Sequence, residues 1–240
     1  MKPLAVISGG GTGIGAAIAR TLSAEGFDLL LVGRRPEPLA ETASTLEGAA
    51  TVAADLRDPS AAASVLAAVG EREVAAIVNN AGGYLGRADD ELPTIAQQWR
   101  DTFDTNVLTA VVLTEALLPR LARPGGRVIL FSSIAAQRGG GGPYSAAKAA
   151  LHGWALDLAV QLGPEGVTAN VISPGFVEDT EFFAGRMTEQ GYASRVGATL
   201  VGRAGKPDEI AQTVRWLVGP SGGYVTGQII NVNGGSVLGR

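Results

Sequence analysis

Tyr144 and Lys148 are the side chains whose types and spacing best suit proton chemistry. They stand four positions apart in an alanine-rich segment that begins at Pro143, and i,i+4 neighbours share one face of a helix. A free phenol has a pKa of about 10, which is too high for efficient proton exchange at neutral pH. Lowering that pKa by ~3 units takes roughly 4 kcal/mol, and an ammonium group one turn away can supply it. This spacing is common on helices and by itself usually has no catalytic meaning, so the prediction that Tyr144 acts as a general acid or base depends on its context in the chain.

A glycine-rich turn at residues 8–15 is the second feature with a chemical meaning. It follows an apolar run and precedes an alanine-rich segment, where glycines let backbone N–H groups approach a pyrophosphate. Two spacings fit the letters: G-x-G-x-x-A through Gly11, Gly13 and Ala16, and G-x-x-x-G-x-G through Gly9, Gly13 and Gly15. The turn predicts dinucleotide binding, and the alternative is a tight turn without a ligand.

Arg34 and Arg35 follow the second apolar run, where NAD sites usually carry an acidic residue that binds the ribose hydroxyls. A carboxylate there would repel a 2′-phosphate, whereas a guanidinium holds it with two charge-assisted hydrogen bonds. The sequence therefore favours NADP(H) over NAD(H). The alternative is that one of the two arginines only caps a strand end at the surface.

Composition excludes several other kinds of site. The 240 residues include no cysteine, which removes thiolate metal sites and thiol catalysis, and one histidine, His152, which removes histidine-cluster metal sites. The net charge of −4 without a run of like charges argues against nucleic-acid or membrane-surface binding. No apolar stretch reaches the ~18 residues of a membrane span. We expect a soluble protein, and the absence of cysteine fits a cytoplasmic location.

Short aliphatic runs alternate with longer segments of helical period along the chain. Strands are predicted near 3–8, 27–33, 50–54, 74–79, 126–132, 166–172 and 228–232. Helices are predicted near 14–25, 37–47, 59–70, 93–121, 143–162 and 207–218. Continuous apolar strands are typical of sheets covered on both faces, so we predict an α/β fold with a doubly wound parallel sheet of about seven strands, of the Rossmann type. We expect a single domain over residues 1–240, with an irregular substrate lid near 176–206.

With these elements placed, the chain resembles the short-chain dehydrogenase/reductase family over nearly its whole length. The matching pieces are the glycine turn, Asp55-Leu56, Asn79-Asn80-Ala81-Gly82, Asn106, Ser132-Ser133, Tyr144 with Lys148, Asn170, Pro174-Gly175 and Thr180. The tail is similar to that of the 3-oxoacyl-acyl-carrier-protein reductases, through Gly202-Arg203, Gly205-x-Pro207, Thr226-Gly227 and Gly234-Gly235. The resemblance selects the wider glycine spacing.

The resemblance implies a role for each matching residue. Tyr144 would protonate the carbonyl oxygen, Lys148 would lower the pKa of the tyrosine and bind the nicotinamide ribose, and Asn106 would hold a water that relays protons to Lys148. Ser133 would donate a hydrogen bond to the same oxygen; it is favoured over Ser132 because neighbours on a strand point to opposite faces. The implied cofactor contacts are Gly9, Gly11, Thr12, Gly13, Ile14, Gly15, Arg34, Arg35, Asp55, Leu56, Asn80, Ala81, Gly82, Tyr144, Lys148, Pro174, Gly175, Val177 and Thr180.

Two departures from the family pattern affect these assignments. Ser133 and Tyr144 are eleven positions apart, a shorter interval than is usual, and the interval holds Gly139–Gly142. Position 12 is threonine, where many NADP-preferring members carry a basic residue, so Arg34 and Arg35 are left as the handles for the phosphate.

The resulting interpretation is an NADP(H)-dependent oxidoreductase acting on a carbonyl or secondary alcohol, with a 3-oxoacyl thioester on an acyl carrier protein as the leading substrate. Alternatives are a sugar, steroid, polyketide or other secondary alcohol, and, in another class, a dinucleotide-binding sensor without catalysis. Candidate carrier-protein contacts at the site mouth are Arg138, Arg186 and Arg195. The resemblance also implies a homotetramer, with 93–121 and 143–162 packed between subunits.

Overall fold

The chain forms one parallel sheet covered by helices. The computed structural model describes residues 2–86, 91–183, 185 and 187–239. The strands in these ranges are Leu4–Ser8 (β1), Asp28–Gly33 (β2), Ala49–Ala53 (β3), Val74–Asn79 (β4), Arg127–Phe131 (β5), Thr168–Pro174 (β6) and Ile229–Val232 (β7). Their order across the sheet is β3-β2-β1-β4-β5-β6-β7, and every pairing is parallel. The predicted fold class and strand number are confirmed.

Helices connect the strands. They are Gly13–Ala24 (α1), Pro36–Ser44 (α2), Ala62–Val69 (α3), Leu92–Phe103 (α4), Thr109–Leu117 (α5), Ala135–Arg138 (α6), Pro143–Leu162 (α7), Glu189–Gly197 (α8) and Pro207–Val218 (α9) within the described ranges. Short 3-10 turns occur at Pro59–Ala61, Leu118–Arg120, Gly163–Glu165, Glu181–Phe183 and Pro220–Gly222. A proline opens α2, α7 and α9, because its missing N–H is unpaired in a first helical turn in any case.

Two predicted elements differ from the structure. The helix predicted over 93–121 is divided into α4, a π-helical segment Asp104–Leu108, α5 and a 3-10 turn. The helical turns run on through the π segment, and a pattern that treats the whole stretch as one helix does not resolve a shift of one residue inside it. The stretch 176–206, predicted as irregular, contains a 3-10 turn and α8. None of the described residues of α8 is buried, so this helix has no apolar face for a sequence pattern to show.

The core lies on both faces of the sheet. Val6 and Val128 pack toward α3, α5 and α7, whereas their neighbours Ile7 and Ile129 pack toward α1 and α9. All four side chains are fully buried, and burying such a side chain contributes about 1.5–3 kcal/mol. The strands are therefore fixed from both sides, and their carboxyl ends form a rigid edge.

The sheet reverses its winding direction between β1 and β4. The chain proceeds outward from β1 to β2 and β3, then returns to place β4 on the other side of β1. Ligands of doubly wound sheets bind at this point, beyond the carboxyl ends of the strands. Ser8 pairs with Asn79 at that edge, so the glycine turn after β1 lies beside the loop that begins with Asn80.

Candidate active site

A cavity of about 1010 Å³ lies at the carboxyl ends of the strands. It extends from the end of β2 and the glycine turn to the start of α7. The predicted site residues that line it are Gly9, Gly11, Thr12, Gly13, Ile14, Arg34, Arg35, Asp55, Leu56, Asn80, Ala81, Gly82, Ser133, Tyr144, Lys148, Pro174, Gly175, Val177 and Thr180. Gly15 and Asn106, also predicted, lie behind this lining. The fold thus gathers the two predicted centres of chemistry around one cavity.

The glycine turn is packed so closely that side chains are excluded from it. Gly9 and Gly13 have φ values of +66° and +52°, which favour glycine, and a Cβ on Gly15 would lie 2.0 Å from the carbonyl oxygen of Gly9. The Asn80 side-chain amide donates to the carbonyl oxygens of Ser8 and Gly9 over 3.1 Å and 3.2 Å. The wider of the two glycine spacings is therefore the one that the backbone requires.

The N-terminus of α1 faces the cavity through Gly13 and Ile14. Thr12 precedes this helix, but its side chain makes no capping hydrogen bond, and the first turn of α1 carries no acidic residue. The first N–H groups of a helix and its dipole together attract an anion. The turn and helix α1 thus fit the pyrophosphate of a dinucleotide, with an approach that a Cβ on the glycines would obstruct.

Charged side chains surround the end of the cavity beside β2. Arg34 and Arg35 are both exposed there, and β2 ends on Gly33. The Arg57 guanidinium binds the Asp55 carboxylate, with Nε 3.0 Å from Oδ1, and this hydrogen bond holds the pKa of Asp55 below its usual range. The sequence reasoning did not select Arg57, although its position two residues after Asp55 was available as a signal.

Tyr144 is buried at the other end of the cavity. Its side chain is 8% exposed, and burial raises the pKa of the phenol to about 12. A hydrogen bond with Ser133 acts in the opposite direction and lowers that pKa. The phenol is therefore protonated at neutral pH, which is the form that can donate a proton.

Lys148 lies one helical turn from Tyr144 and is 4% exposed. Its Nζ donates to the carbonyl oxygen of Phe131 over 2.9 Å and lies 5.8 Å from the centre of the Tyr144 ring. Burial lowers the pKa of the lysine to about 8. The predicted lowering of the Tyr144 pKa by Lys148 is not found in this structure, because burial of the phenol outweighs the hydrogen bond with Ser133.

Ser132 and Ser133 have different environments. The Ser132 hydroxyl donates to the carbonyl oxygen of Lys148 over 2.8 Å and lies 2.8 Å from His152 Nε2. Both interactions tie it to α7, whereas Ser133 faces Tyr144. The sequence gives no sign of the contact with His152, because the two residues are 20 positions apart. Within the described chain, no hydrogen bond joins the other ring nitrogen of His152 to a carboxylate, so these residues do not form a hydrolase triad.

Asn106 lies in the π-helical segment and is 1% exposed. Its Oδ1 accepts the Gly83 N–H over 3.0 Å, and its Nδ2 donates to the carbonyl oxygens of Gly83 and Thr102 over 2.9 Å and 3.0 Å. A Cβ on Gly82 would lie 2.7 Å from Asn106 Oδ1 and 2.9 Å from Lys148 Nζ. The amide and the ammonium therefore border the same glycine, and π-helical turns often occur at such functional positions.

The segment that follows β6 lies over the glycine turn. A Cβ on Gly13 would be 3.4 Å from Thr180. The base of this segment is closed by a parallel bridge between Val177 and Gly205, in which the Glu178 N–H donates to the Gly205 carbonyl oxygen over 3.0 Å. Thr180 is thereby held on the same side of the cavity as α1.

Aromatic and basic side chains line the mouth of the cavity. The rings of Tyr84 and Phe182 have their centres 5.9 Å and 5.8 Å from that of Tyr144. Arg138 and Arg195 also line the cavity, and Arg186 lies outside the described residues.

The described residues lack two further kinds of feature. They contain no group of three or more histidine or acidic side chains placed to hold a metal ion. Among them, no helix is both long and apolar enough to cross a bilayer.

Comparisons with known proteins find relatives along nearly the whole length of this chain. The family model described as Enoyl-(Acyl carrier protein) reductase matches residues 9–236. The chain is 35% identical to the short-chain reductase protein NovJ of Streptomyces niveus, over 98% of this chain and 94% of that protein. It is 33% identical to the 3-oxoacyl-[acyl-carrier-protein] reductase FabG of Escherichia coli, over 98% of this chain and 97% of that protein.

A solved structure of a short-chain dehydrogenase from Burkholderia cenocepacia in complex with NADP has the same fold. Its TM-score is 0.87 at 32% sequence identity, and the match covers 98% of this chain and 97% of that one. The chain belongs to the short-chain dehydrogenase/reductase family, as its sequence motifs predict. It is therefore an oxidoreductase.

Proposed function

We propose that this protein transfers a hydride between NADP(H) and a carbonyl or secondary alcohol, with a 3-oxoacyl thioester as the favoured substrate. The observation that carries the proposal is the Tyr144 hydroxyl, buried and hydrogen-bonded to Ser133, in the same cavity as the glycine turn. A protonated phenol and a second hydroxyl donor at one point suit a carbonyl oxygen that gains negative charge.

Each site residue has a role in this proposal. The nicotinamide, when bound, supplies the hydride in reduction and accepts it in oxidation. Tyr144 donates its proton to the carbonyl oxygen, while Ser133 donates a hydrogen bond to that oxygen and stabilises its developing charge. Lys148 binds the nicotinamide ribose with its ammonium group. Asn106 holds a water that passes protons toward Lys148, because its Oδ1 retains one lone pair beyond the bond from Gly83.

The remaining predicted residues would bind the cofactor. The glycine turn and the N-terminus of α1 hold the pyrophosphate, Asp55 and Leu56 contact the adenine, and Val177 and Thr180 contact the nicotinamide carboxamide. Asn80 contacts the adenine-side ribose region. Its two hydrogen bonds to the carbonyl oxygens of Ser8 and Gly9 support a role in positioning the glycine turn.

The preference for NADP(H) over NAD(H) rests on the charges near β2. Arg34 and Arg35 are exposed beside the cavity, and the end of β2 carries no carboxylate. Arg57 adds a third guanidinium to the same end of the cavity. The complex of the Burkholderia cenocepacia relative with NADP supports this preference.

The acyl thioester is favoured because one relative is a 3-oxoacyl-[acyl-carrier-protein] reductase by name. Arg138 and Arg195 at the cavity mouth are suitable contacts for an acidic carrier protein. A sugar, steroid, polyketide or other secondary alcohol remains the alternative substrate. A sensor without catalysis is the alternative of another class, but the chain retains Tyr144, Lys148 and Ser133 around one cavity.

The homotetramer also remains a proposal, as do the cytoplasmic location, the single domain and the lid near 176–206. Exposed apolar side chains on the helices expected between subunits support the tetramer. Trp99 on α4 is 43% exposed, and Leu156 and Val160 on α7 are 53% and 79% exposed. Subunit contacts would remove these surfaces from water.

Steady-state oxidation of NADPH and NADH, measured with acyl thioesters, cyclic ketones, sugars and quinones, tests the function. We expect turnover with NADPH, and Tyr144→Phe should reduce kcat about 10²–10⁴-fold, the usual contribution of a general acid. Tyr224→Phe is the matched control, because Tyr224 is fully exposed and does not line the cavity. Undiminished turnover by Tyr144→Phe would refute the assigned roles, and cofactor binding without turnover on any substrate would favour the sensor.

A further inference from the structure

The Glu181 carboxylate occupies the cofactor end of the cavity in this structure. Glu181 begins the 3-10 turn of the segment that follows β6, and it lines the cavity together with Thr12 and Arg35. Its Oε2 is 2.5 Å from Arg35 Nη2 and accepts the Thr12 hydroxyl over 3.3 Å. A single carboxylate thus joins an arginine after β2 to the residue that precedes α1.

Arg35 differs in this respect from the two other arginines nearby. Arg57 is paired with Asp55, which comes from the same loop. Arg34 has no ion-pair partner among the residues that the structure describes. The partner of Arg35 is 146 positions away in the sequence, in the segment over the glycine turn, so this ion pair crosses the cavity.

A carboxylate at this position resembles the phosphate group that the arginines are proposed to bind. Both are anions that accept charge-assisted hydrogen bonds from a guanidinium. A 2′-phosphate that pairs with Arg35 competes with Glu181 for its N–H donors, and the two anions repel each other if both remain there. NAD(H) lacks this phosphate, so its ribose does not compete with Glu181 for Arg35.

We propose that Glu181 is a specificity-determining residue that competes with the 2′-phosphate of NADP(H) for Arg35. The inference rests on the proposed use of NADP(H). The carboxylate lowers the affinity for the phosphorylated cofactor and thereby limits discrimination against NAD(H). The two side chains are 59% and 54% exposed, so solvent screens the ion pair and its effect on cofactor affinity is modest.

Dissociation constants of the purified full-length protein for NADPH and NADH, measured by calorimetry, test this competition without any turnover. Glu181→Gln should lower the Kd for NADPH by up to about fivefold, which is the ratio that corresponds to the upper limit for an exposed pair. The Kd for NADH should change much less. Glu37→Gln is the matched control, because Glu37 is an exposed carboxylate two positions from Arg35 with no ion pair to it in the described chain.

A double-mutant cycle separates a specific pair from a general charge effect. If Glu181 acts through Arg35, the gain from Glu181→Gln disappears in an Arg35→Gln background. The inference is overturned if Glu181→Gln leaves the Kd for NADPH unchanged or raises it, or if the affinity for NADH improves equally. In those cases tight NADPH binding by the wild type would leave the proposed function intact, whereas failure of the wild type to bind NADPH would refute both.

Discussion

The buried lysine of the site should impose an alkaline limit on carbonyl reduction. Lys148 is 4% exposed, and burial lowers its pKa to about 8. Such a group is about nine-tenths charged at pH 7 and about one-tenth charged at pH 9, and each further pH unit lowers the charged fraction about tenfold. If reduction requires the ammonium form, kcat/KM for the cofactor falls about tenfold per unit above pH 8, because this quantity reports the free enzyme.

Tyr144 does not interfere with this measurement. Burial raises the pKa of Tyr144 to about 12, so its proton stays in place over the range in which the lysine titrates. A loss of rate between about pH 8 and pH 10 is thus assigned to Lys148 and not to Tyr144. Initial rates of NADPH oxidation at constant ionic strength, with activity recovered after return to neutral pH, exclude denaturation as the cause.

Lys148→Arg supplies the decisive comparison. A guanidinium keeps its charge above pH 12, so the variant should lose the alkaline limit even if its geometry lowers the rate at neutral pH. Lys206→Arg is the matched control, since Lys206 is exposed at the start of α9 and should leave the profile unchanged. A wild-type profile that stays flat to about pH 10, or an unchanged limit in Lys148→Arg, would refute the assignment.

Three further predictions concern the surroundings of the site. Ser133→Ala should lower kcat by about 10²–10³-fold, as removal of one oxyanion donor does. Ser132→Ala should retain more of kcat, but it should lower the free energy of unfolding by about 1–3 kcal/mol because buried hydrogen bonds are lost. The reverse pattern would exchange their roles. Gly82→Ala places a Cβ 2.7 Å from a buried amide oxygen and should reduce both kcat and Tm, whereas Gly83→Ala meets open space and should reduce neither. Equal effects would contradict the crowding argument. Hydrogen bonds from the Arg203 side chain and the Lys206 backbone N–H lower the pKa of Glu209 to about 2. The contribution of this carboxylate to stability is therefore present above about pH 4.5 and is lost toward pH 2. Glu209→Gln should lower Tm by about 2–4 °C at neutral pH, with the difference closing in acid; a difference independent of pH would refute it.

The elements with strong patterns could be predicted from the sequence. Helices α7 and α9 and strand β4 have the predicted bounds, because a proline opens each helix and the buried strand is a continuous apolar run. The glycine turn and Tyr144 could be placed at one edge of the sheet, because parallel strands bring their carboxyl ends together.

Other features depend on contacts between distant residues, which a local pattern does not contain. The pairing of Glu181 with Arg35 joins segments far apart in the chain, and α8 has no buried face. The pKa of Tyr144 was expected to fall because a lysine is near, but burial raises it. Spacing indicates which groups are neighbours, whereas the degree of burial depends on the whole fold.

Because Asp104–Leu108 is π-helical, the position of Asn106 depends on the number of residues in this stretch as well as on their types. Removing one residue would restore regular α-helical bonding, and one residue corresponds to about 100° of rotation around a helix axis. The deletion would turn Asn106 away from Gly83, or else turn the apolar side of α5 away from the sheet. A relative that is one residue shorter here therefore needs a differently built site, even if it carries the same asparagine, and sequence alignments across this segment should be judged by their gaps.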